Sequence, residues 1–257
     1  MKSNRFDKKI RWKIALAVFF LTIIVCLTPA YDNVLTRAQK ITNADIIVID
    51  PGHGGRDGGA SSSDGVMEKD INLAIAFYIK ELAEADGWKV IMTREEDISL
   101  GENLSKTIRG KKTADLIARR EMIRDIDPMV AVSIHLNSFK QDRSVRGAQT
   151  FYPAGPGEQA VLDECKKLAE IIQKQLVRGI ADGTDRSVLK KRDALMLKNP
   201  TVPMAMVECG FLSNPEEALL LTQEEYQRKL ARCIYEGILI YSGKEPAEPL
   251  RTIDSRG

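Results

Sequence analysis

The sequence predicts an α/β fold in which one sheet carries helices on both faces. Short β-branched runs alternate along the chain with longer segments whose apolar residues recur at helical spacing, and this alternation is typical of such folds. The length of 257 residues suits one α/β domain or two small ones. With 44% hydrophobic and 29% charged residues, the composition excludes a disordered chain, a collagen-like fibre and a disulfide-dense miniprotein.

The first strand shows how the strands are recognised. Residues 45–50 form a continuous run that is rich in β-branched residues and stops at Pro51, which is typical of a strand buried on both faces. The same kind of pattern predicts strands at about 45–50, 88–93, 130–134, 148–152, 194–197 and 204–207.

The helices are predicted from apolar residues spaced three and four apart. In the first helix, over residues 71–84, Asp70 is in position to cap the start and Gly87 to end it. Further helices are predicted at about 113–126, at about 158–179, and from about 215 and 223 onward. Residues 94–112 are charged, contain two glycines and are predicted to be a loop.

The N-terminal segment has the composition of a targeting sequence. Residues 1–30 hold six Lys or Arg and one acid, and an uncharged apolar stretch follows Lys13. This pattern predicts that residues 1–31 are a signal peptide or a membrane anchor, and either one places the rest of the chain outside the cytoplasm. We expect a linker at 32–44, a folded domain at 45–243 and a flexible tail at 244–257.

The charge distribution argues against a nucleic-acid-binding protein, and the cysteine spacing argues against a disulfide framework. The chain has a net charge of +2, but the basic N-terminus accounts for it and leaves the remainder mildly acidic, so nucleic acid is not an expected partner. Cys165, Cys209 and Cys233 are widely spaced and form no C-x-x-C pair. We expect three buried free thiols, although export would permit a disulfide.

Two histidines carry the strongest functional signal. His53 and His135 are the only histidines, and each follows the C-terminal end of a predicted strand, the edge where α/β sheets bind ligands. His53 lies among five glycines within residues 50–59. A glycine-rich phosphate loop is the alternative, but the third glycine of G-x-G-x-x-G would fall at Asp57 and no helix follows directly. A metal site is the better interpretation.

Two acids complete a hydrolytic zinc site. Such a site needs three nitrogen or oxygen ligands, an open position for water and a carboxylate that moves protons. Glu68 lies on the connection between the first strand and the first helix, where it can become the third ligand. Glu208 follows a short apolar strand, and we expect it to have few charged neighbours and to be the proton-transfer group.

Four ordered sequence blocks resemble the zinc-dependent N-acetylmuramoyl-L-alanine amidases of bacterial cell walls. The blocks are VIDPGHGGRDGGA at 48–60, EKD at 68–70, SIHLN at 133–137 and VECGFLSN at 207–214. The resemblance implies a single three-layer α/β domain with a mixed sheet of about six strands. It also implies that His53, Glu68 and His135 bind Zn²⁺ and that Glu208 is the catalytic acid and base.

The resemblance also indicates a substrate and two further residues. Peptidoglycan would be cleaved between N-acetylmuramic acid and the L-alanine of the stem peptide. The chain looks most like the germination-specific cortex amidases of spore formers, which implies a role in the cell wall or the spore cortex. Arg119 matches a position that is usually Arg in this family and is a candidate substrate contact. Asn137, two residues past His135, is another such candidate or caps a loop.

Other functions and partners stay open at this stage. Another zinc hydrolase of the wall, such as a peptidase or a deacetylase, would use a similar site. A non-catalytic wall-binding protein should have lost one of the four site residues, all of which are present. The N-terminal segment would contact the membrane if it is not cleaved, and a protein activator of unknown identity is a further possible partner.

Overall fold

A computed structural model describes residue 13, residues 43–102 and residues 105–244 of the chain. The predicted signal or anchor segment and most of the predicted linker and tail lie outside the described residues. Among the helices that the structure describes, none is long and apolar enough to cross a membrane.

Six strands form one mixed sheet, as the family resemblance implied. They are β1 (Ile46–Pro51), β2 (Lys89–Met92), β3 (Val130–Asn137), β4 (Gln149–Pro153), β5 (Leu189–Lys191) and β6 (Met204–Phe211). Their order across the sheet is β2-β1-β3-β6-β4-β5. The first four strands in this order are parallel, β4 is antiparallel to β6, and β5 is parallel to β4.

Within residues 43–102 and 105–244, five helices flank the sheet. They are α1 (Glu68–Ala85), α2 (Ile108–Ile126), α3 (Gln159–Ile180), α4 (Pro215–Leu221) and α5 (Glu224–Ser242). The helix α5 packs against both α1 and α3, so these three helices form one connected layer. A short 3₁₀ helix, Leu195–Leu197, lies against α2.

The path of the chain across the sheet creates a ligand-binding edge. The chain moves from β1 to β2 in one direction and then crosses back over β1 to reach β3. Because parallel crossovers are right-handed, the reversal places α1 and α2 on opposite faces. Ligands bind at the carboxyl ends of strands beside such a reversal. His53 and His135 lie at this edge, after β1 and at the end of β3.

The core explains why the strands could be recognised. All six residues of β1 and all eight of β6 are buried, which is the reason for their nearly continuous apolar runs. Cys165, Cys209 and Cys233 are free and buried, as predicted. Burial raises the pKa of the Cys165 and Cys233 thiols to about 11, so they stay protonated.

The predicted strand at 194–197 is wrong. Most of this segment is the 3₁₀ helix, whose Met196 and Leu197 are apolar because they are buried in the core rather than because they pair in the sheet. The sixth strand is instead β5, which begins with two exposed residues and pairs at the sheet edge. Its sequence, LKK, has no apolar alternation that could reveal it.

Two helix starts also differ from the prediction. The helix α2 begins at Ile108, inside the predicted loop 94–112, because the Thr107 side chain caps it by accepting the Gly110 N–H at 3.0 Å. Its first turns are largely solvent-exposed and therefore lack an apolar stripe. The helix α1 begins at Glu68, so Asp70 lies within its first turn and is not its cap.

Candidate metal centre and active site

The loop from β1 to α1 places His53 at the sheet edge, and glycines without side chains make its close approaches possible. His53 has a left-handed φ of 63°, a conformation that is uncommon outside glycine. A Cβ atom on Gly52 would lie 2.2 Å from Cε1 of His135, and one on Gly59 would lie 2.5 Å from Oε2 of Glu68. Glycines at these two positions therefore let the backbone approach the site residues closely.

Glu68 lies between the two histidines. Its Oε1 is 3.1 Å from Nε2 of His53 and 2.9 Å from Nδ1 of His135. One ligand atom from each of the three residues lies within 4.8 Å of the others. Two ligands at about 2.0–2.1 Å from a tetrahedral zinc ion are about 3.3 Å apart. The donor set and its spacing therefore fit zinc.

The position of Glu68 is fixed by backbone donors as well as by the histidines. Oε1 accepts the Leu136 N–H at 2.9 Å, and Oε2 accepts the Ala60 N–H at 2.7 Å. The residue is only 3% exposed. Burial by itself raises the pKa of the carboxyl, but the hydrogen bonds and charges of His135 and His53 outweigh burial and hold the pKa far below its usual range. The carboxylate is charged and oriented toward both imidazoles.

Asp57 orients His53 from the other side of the ring. Its Oδ2 lies 2.9 Å from Nδ1 of His53, which leaves Nε2 directed at Glu68. A carboxylate at the second nitrogen of a metal-binding histidine fixes the ring and its tautomer. In the sequence, Asp57 stands out only as the residue that breaks the phosphate-loop pattern. Its spacing of four residues from His53 within the same loop was the available signal.

Glu208 lies beside His135 on the neighbouring strand. The two residues are directly paired in the parallel register of β3 and β6, which places their side chains on the same face. Glu208 is 7% exposed. Its Oε1 is 2.9 Å from Nζ of Lys191 at the end of β5, and Nζ also lies 4.4 Å from the centre of the Phe151 ring. Lys191 is a charged neighbour that the sequence did not reveal, because β5 was not recognised.

Comparison with known proteins identifies the family. Residues 47–239 match the N-acetylmuramoyl-L-alanine amidase family Amidase_3. The chain belongs to this family. It is 36% identical to the germination-specific N-acetylmuramoyl-L-alanine amidase of Bacillus subtilis (strain 168), over 91% of this chain and 95% of that protein. The chain is therefore a peptidoglycan amidase, and a cell-wall substrate implies an extracytoplasmic site of action.

Solved structures share both the fold and the sequence. The CwlD amidase from Clostridioides difficile, solved in complex with the GerS lipoprotein, is 43% identical with a TM-score of 0.71, over 77% of this chain and 98% of that chain. An N-acetylmuramoyl-L-alanine amidase from Clostridium difficile 630 is 32% identical with a TM-score of 0.65, over 77% and 97% of the two chains.

Arg119 of this amidase lies beneath the site rather than in it. Its guanidinium donates to Oδ1 of Asp50 at 3.0 Å, to the Pro51 carbonyl at 2.7 Å and to the His53 carbonyl at 2.7 Å. Asp115, one turn earlier in α2, accepts from Nε at 2.7 Å. Arg119 is only 1% exposed. This burial does not suit a substrate contact, and the hydrogen bonds indicate that Arg119 holds the loop that carries His53.

Asn137 is half-buried at the end of β3. Its Oδ1 accepts the N–H of Ser138 at 2.8 Å, and its carbonyl accepts the N–H of Leu212 at 2.9 Å. The first bond is local to the end of β3, and the second joins the ends of β3 and β6. The contacts match the loop-capping alternative, while a contact of the side chain with substrate stays a prediction.

Proposed function

We propose that this amidase binds Zn²⁺ through His53, Glu68 and His135 and uses Glu208 as its general base and acid. The observation that carries the proposal is the Glu68 carboxylate, which lies within 3.1 Å of one nitrogen of each histidine. Two imidazole nitrogens and a carboxylate oxygen are a ligand set of catalytic zinc sites, which keep a fourth position open. Membership of a family that is generally zinc-dependent supports the same assignment.

The metal and the side chains of the protein have different roles in the reaction. Zinc, when bound, supplies Lewis-acid activation of a water molecule and of the scissile carbonyl. Glu208 takes a proton from the attacking water and returns it to the L-alanine nitrogen as the amide bond breaks. Lys191 holds the Glu208 carboxylate in place through their 2.9 Å ion pair. Asp57 and Arg119 do not contact the reacting atoms. Asp57 orients the His53 ring, and Arg119 holds the His53 backbone carbonyl.

The biological setting is also a proposal. Similarity to the germination-specific amidase of Bacillus subtilis supports a role in remodelling the spore cortex. The Clostridioides difficile amidase was solved with a lipoprotein, so an exported lipoprotein is a reasonable class of protein partner here. We propose that residues 1–31 export the enzyme to the wall or forespore envelope, as a cleaved signal or as an anchor.

Product analysis tests the reaction. The full chain, supplied with zinc, is incubated with purified peptidoglycan, and the products are identified by mass spectrometry. We expect free stem peptides that begin with L-alanine, together with glycan that keeps its lactyl groups. Free acetate would indicate a deacetylase, and cleavage within the stem peptide would indicate a peptidase. Intact peptidoglycan would contradict catalysis.

Metal analysis tests the ligands separately. His53→Ala and His135→Ala should each lose zinc, because the sequence has no third histidine to replace either one. Lys174→Ala, on the exposed side of α3, is the control and should keep its zinc. Full occupancy in either histidine variant would overturn the ligand assignment.

A further inference from the structure

A cavity of about 280 Å³, lined mainly by serine and cationic residues together with Leu212, lies beyond the carboxyl ends of β3 and β6. Its walls include residues 61–63 of the β1–α1 loop, Ser138, Lys140 and Arg143 after β3, and Ser213 after β6. All three segments that line it continue from strands or loops that carry His53, His135 or Glu208. The cavity is therefore placed to receive a part of the substrate that extends past the scissile bond.

Two cations give this cavity a positive character. Lys140 and Arg143 are exposed, and the structure shows no ion pair between either of them and a carboxylate of the described residues. Nε of Arg143 donates to the Ser213 carbonyl at 3.1 Å, which orients the guanidinium. The acid between them in sequence, Asp142, accepts hydrogen bonds from the N–H and the hydroxyl of Ser144 instead.

Serine hydroxyls provide further donors. Oγ of Ser213 accepts the Phe139 N–H at 2.8 Å, and Oγ of Ser62 accepts the Val66 N–H at 3.1 Å. Each hydroxyl that accepts in this way keeps its own proton to donate. Oγ of Ser138 is buried and has no hydrogen-bond partner among the described residues. A buried polar atom without a partner is costly, so this hydroxyl indicates that a ligand or solvent occupies the cavity.

We propose that this cavity binds the free α-carboxylate of the second residue of the stem peptide. In peptidoglycan, L-alanine is followed by a γ-linked D-glutamate whose α-carboxyl group is either free or amidated. Ser138 is three residues past His135, at most about 10 Å away at the rise of an extended strand. Two peptide residues reach about 7 Å, and the long side chains of Lys140 and Arg143 cover the remaining distance. The assignment rests on the proposed amidase reaction.

The site makes the enzyme selective for the charge state of its substrate. A free carboxylate can accept charge-assisted hydrogen bonds from Lys140 and Arg143. The corresponding carboxamide has no charge, and its N–H groups would face the N–H groups of Lys140 and Arg143. We therefore expect the unmodified enzyme to cleave muropeptides with free D-glutamate about ten- to a hundredfold more efficiently than those with D-isoglutamine, with the difference in KM.

A double variant tests the two cations directly. K140Q/R143Q should raise KM for the free-carboxylate muropeptide by a similar factor, leave kcat near its original value and show no preference between the two substrates. The charge-retaining variant K140R/R143K should restore most of the preference. K174Q/R178Q, which removes two exposed cations on α3 away from this cavity, should behave as the unmodified enzyme does.

The possible outcomes separate this inference from the proposed function. If neither muropeptide is cleaved by the unmodified enzyme, the proposed amidase reaction fails. If both are cleaved with equal efficiency, the reaction stands and the carboxylate site is wrong. A loss in K140Q/R143Q that falls on kcat equally for both substrates would show a structural role and overturn the inference. Selectivity that follows amidation of the third residue instead would also overturn the assignment to the second.

Discussion

The two glutamates of the site have different surroundings. Glu68 is in contact with both histidines and with two backbone N–H groups, whereas Glu208 is paired with Lys191. A carboxylate that lies between two imidazoles is placed to bind metal. Glu208 lies on the next strand, beside His135, where a carboxylate can transfer protons.

Replacing each glutamate by glutamine should separate these roles. Glu68→Gln should reduce zinc occupancy, because a neutral amide is a poor metal ligand. Glu208→Gln should keep zinc and lose at least about a hundredfold in turnover, because an amide cannot accept the proton that general acid–base catalysis transfers. Zinc per protein and peptide released per minute should be measured on the same preparations. Loss of zinc in Glu208→Gln would make Glu208 a ligand.

Zinc binding to the metal-free protein should depend on pH. Burial by itself lowers the pKa of His53, but Asp57 and Glu68 outweigh burial and raise the pKa from 6.5 to about 9. Zinc binds only the neutral imidazole, so it must displace this proton. We expect the apparent affinity to rise about tenfold per pH unit up to about pH 9, measured by competition with a chelator.

Asp57→Asn is the matched variant for this pH dependence. Because it removes one of the two acids that raise the His53 pKa, its affinity should level off at a lower pH. The raised pKa also stabilises the metal-free fold, fully below pH 6.5, and this stabilisation is lost as the pH rises through about 9. A zinc affinity that is constant between pH 6.5 and 9 would contradict this account.

At the scale of elements, the β1–α1 loop depends on glycine at close approaches. Gly52→Ala would place Cβ 2.2 Å from the His135 ring, so the imidazole or the loop must move. We expect lower zinc affinity and lower activity, measured by calorimetry and by peptide release. Gly155→Ala is the control, because a Cβ there meets nothing within 4 Å. Equal zinc affinity in the two variants would show that the loop adapts without cost.

The helix α2 supports the same loop through Arg119. Arg119→Gln would leave the buried Asp50 without its charged partner, and breaking a buried pair in this way costs about 3–5 kcal/mol. We expect a lower midpoint of denaturant unfolding together with weaker zinc binding. Arg124→Gln, at an exposed position later in the same helix, should change the stability by no more than about 0.5 kcal/mol. Similar midpoints for the two variants would be the contrary result.

For the molecule as a whole, the N-terminal segment is predicted to determine where the domain acts. A basic flank followed by an uncharged apolar stretch is typical of an export signal. Fusion of residues 1–40 to a reporter should therefore export the reporter, assayed by cell fractionation. A fusion in which the basic residues between 1 and 13 are replaced by Gln is the control and should be exported less. A reporter that stays cytoplasmic with the unmodified segment would refute the targeting prediction.

The elements whose residue pattern follows from burial could be predicted from the sequence. The strands β1 and β6 are covered on both faces, so their runs of apolar residues were readable. His53, His135 and Glu208 were predicted because they follow strand ends, which mark ligand sites in this class of fold. Glu68 was predicted from its place on the connection between the first strand and the first helix. The four motif blocks then gave the family, since each block keeps the residues that its chemistry requires.

The residues that surround those predicted ligands could be recognised only from the folded structure. Lys191 reaches Glu208 from an exposed edge strand that has no apolar signal, 17 positions away in sequence. Arg119 has the position of a family arginine, but only the packing of α2 shows that it is directed at Asp50 and the loop backbone. Hydrophobic periodicity reports how a segment is buried. It contains no information about which distant side chain fills the space beside it, because the pairing of strands and the packing of helices bring those side chains together.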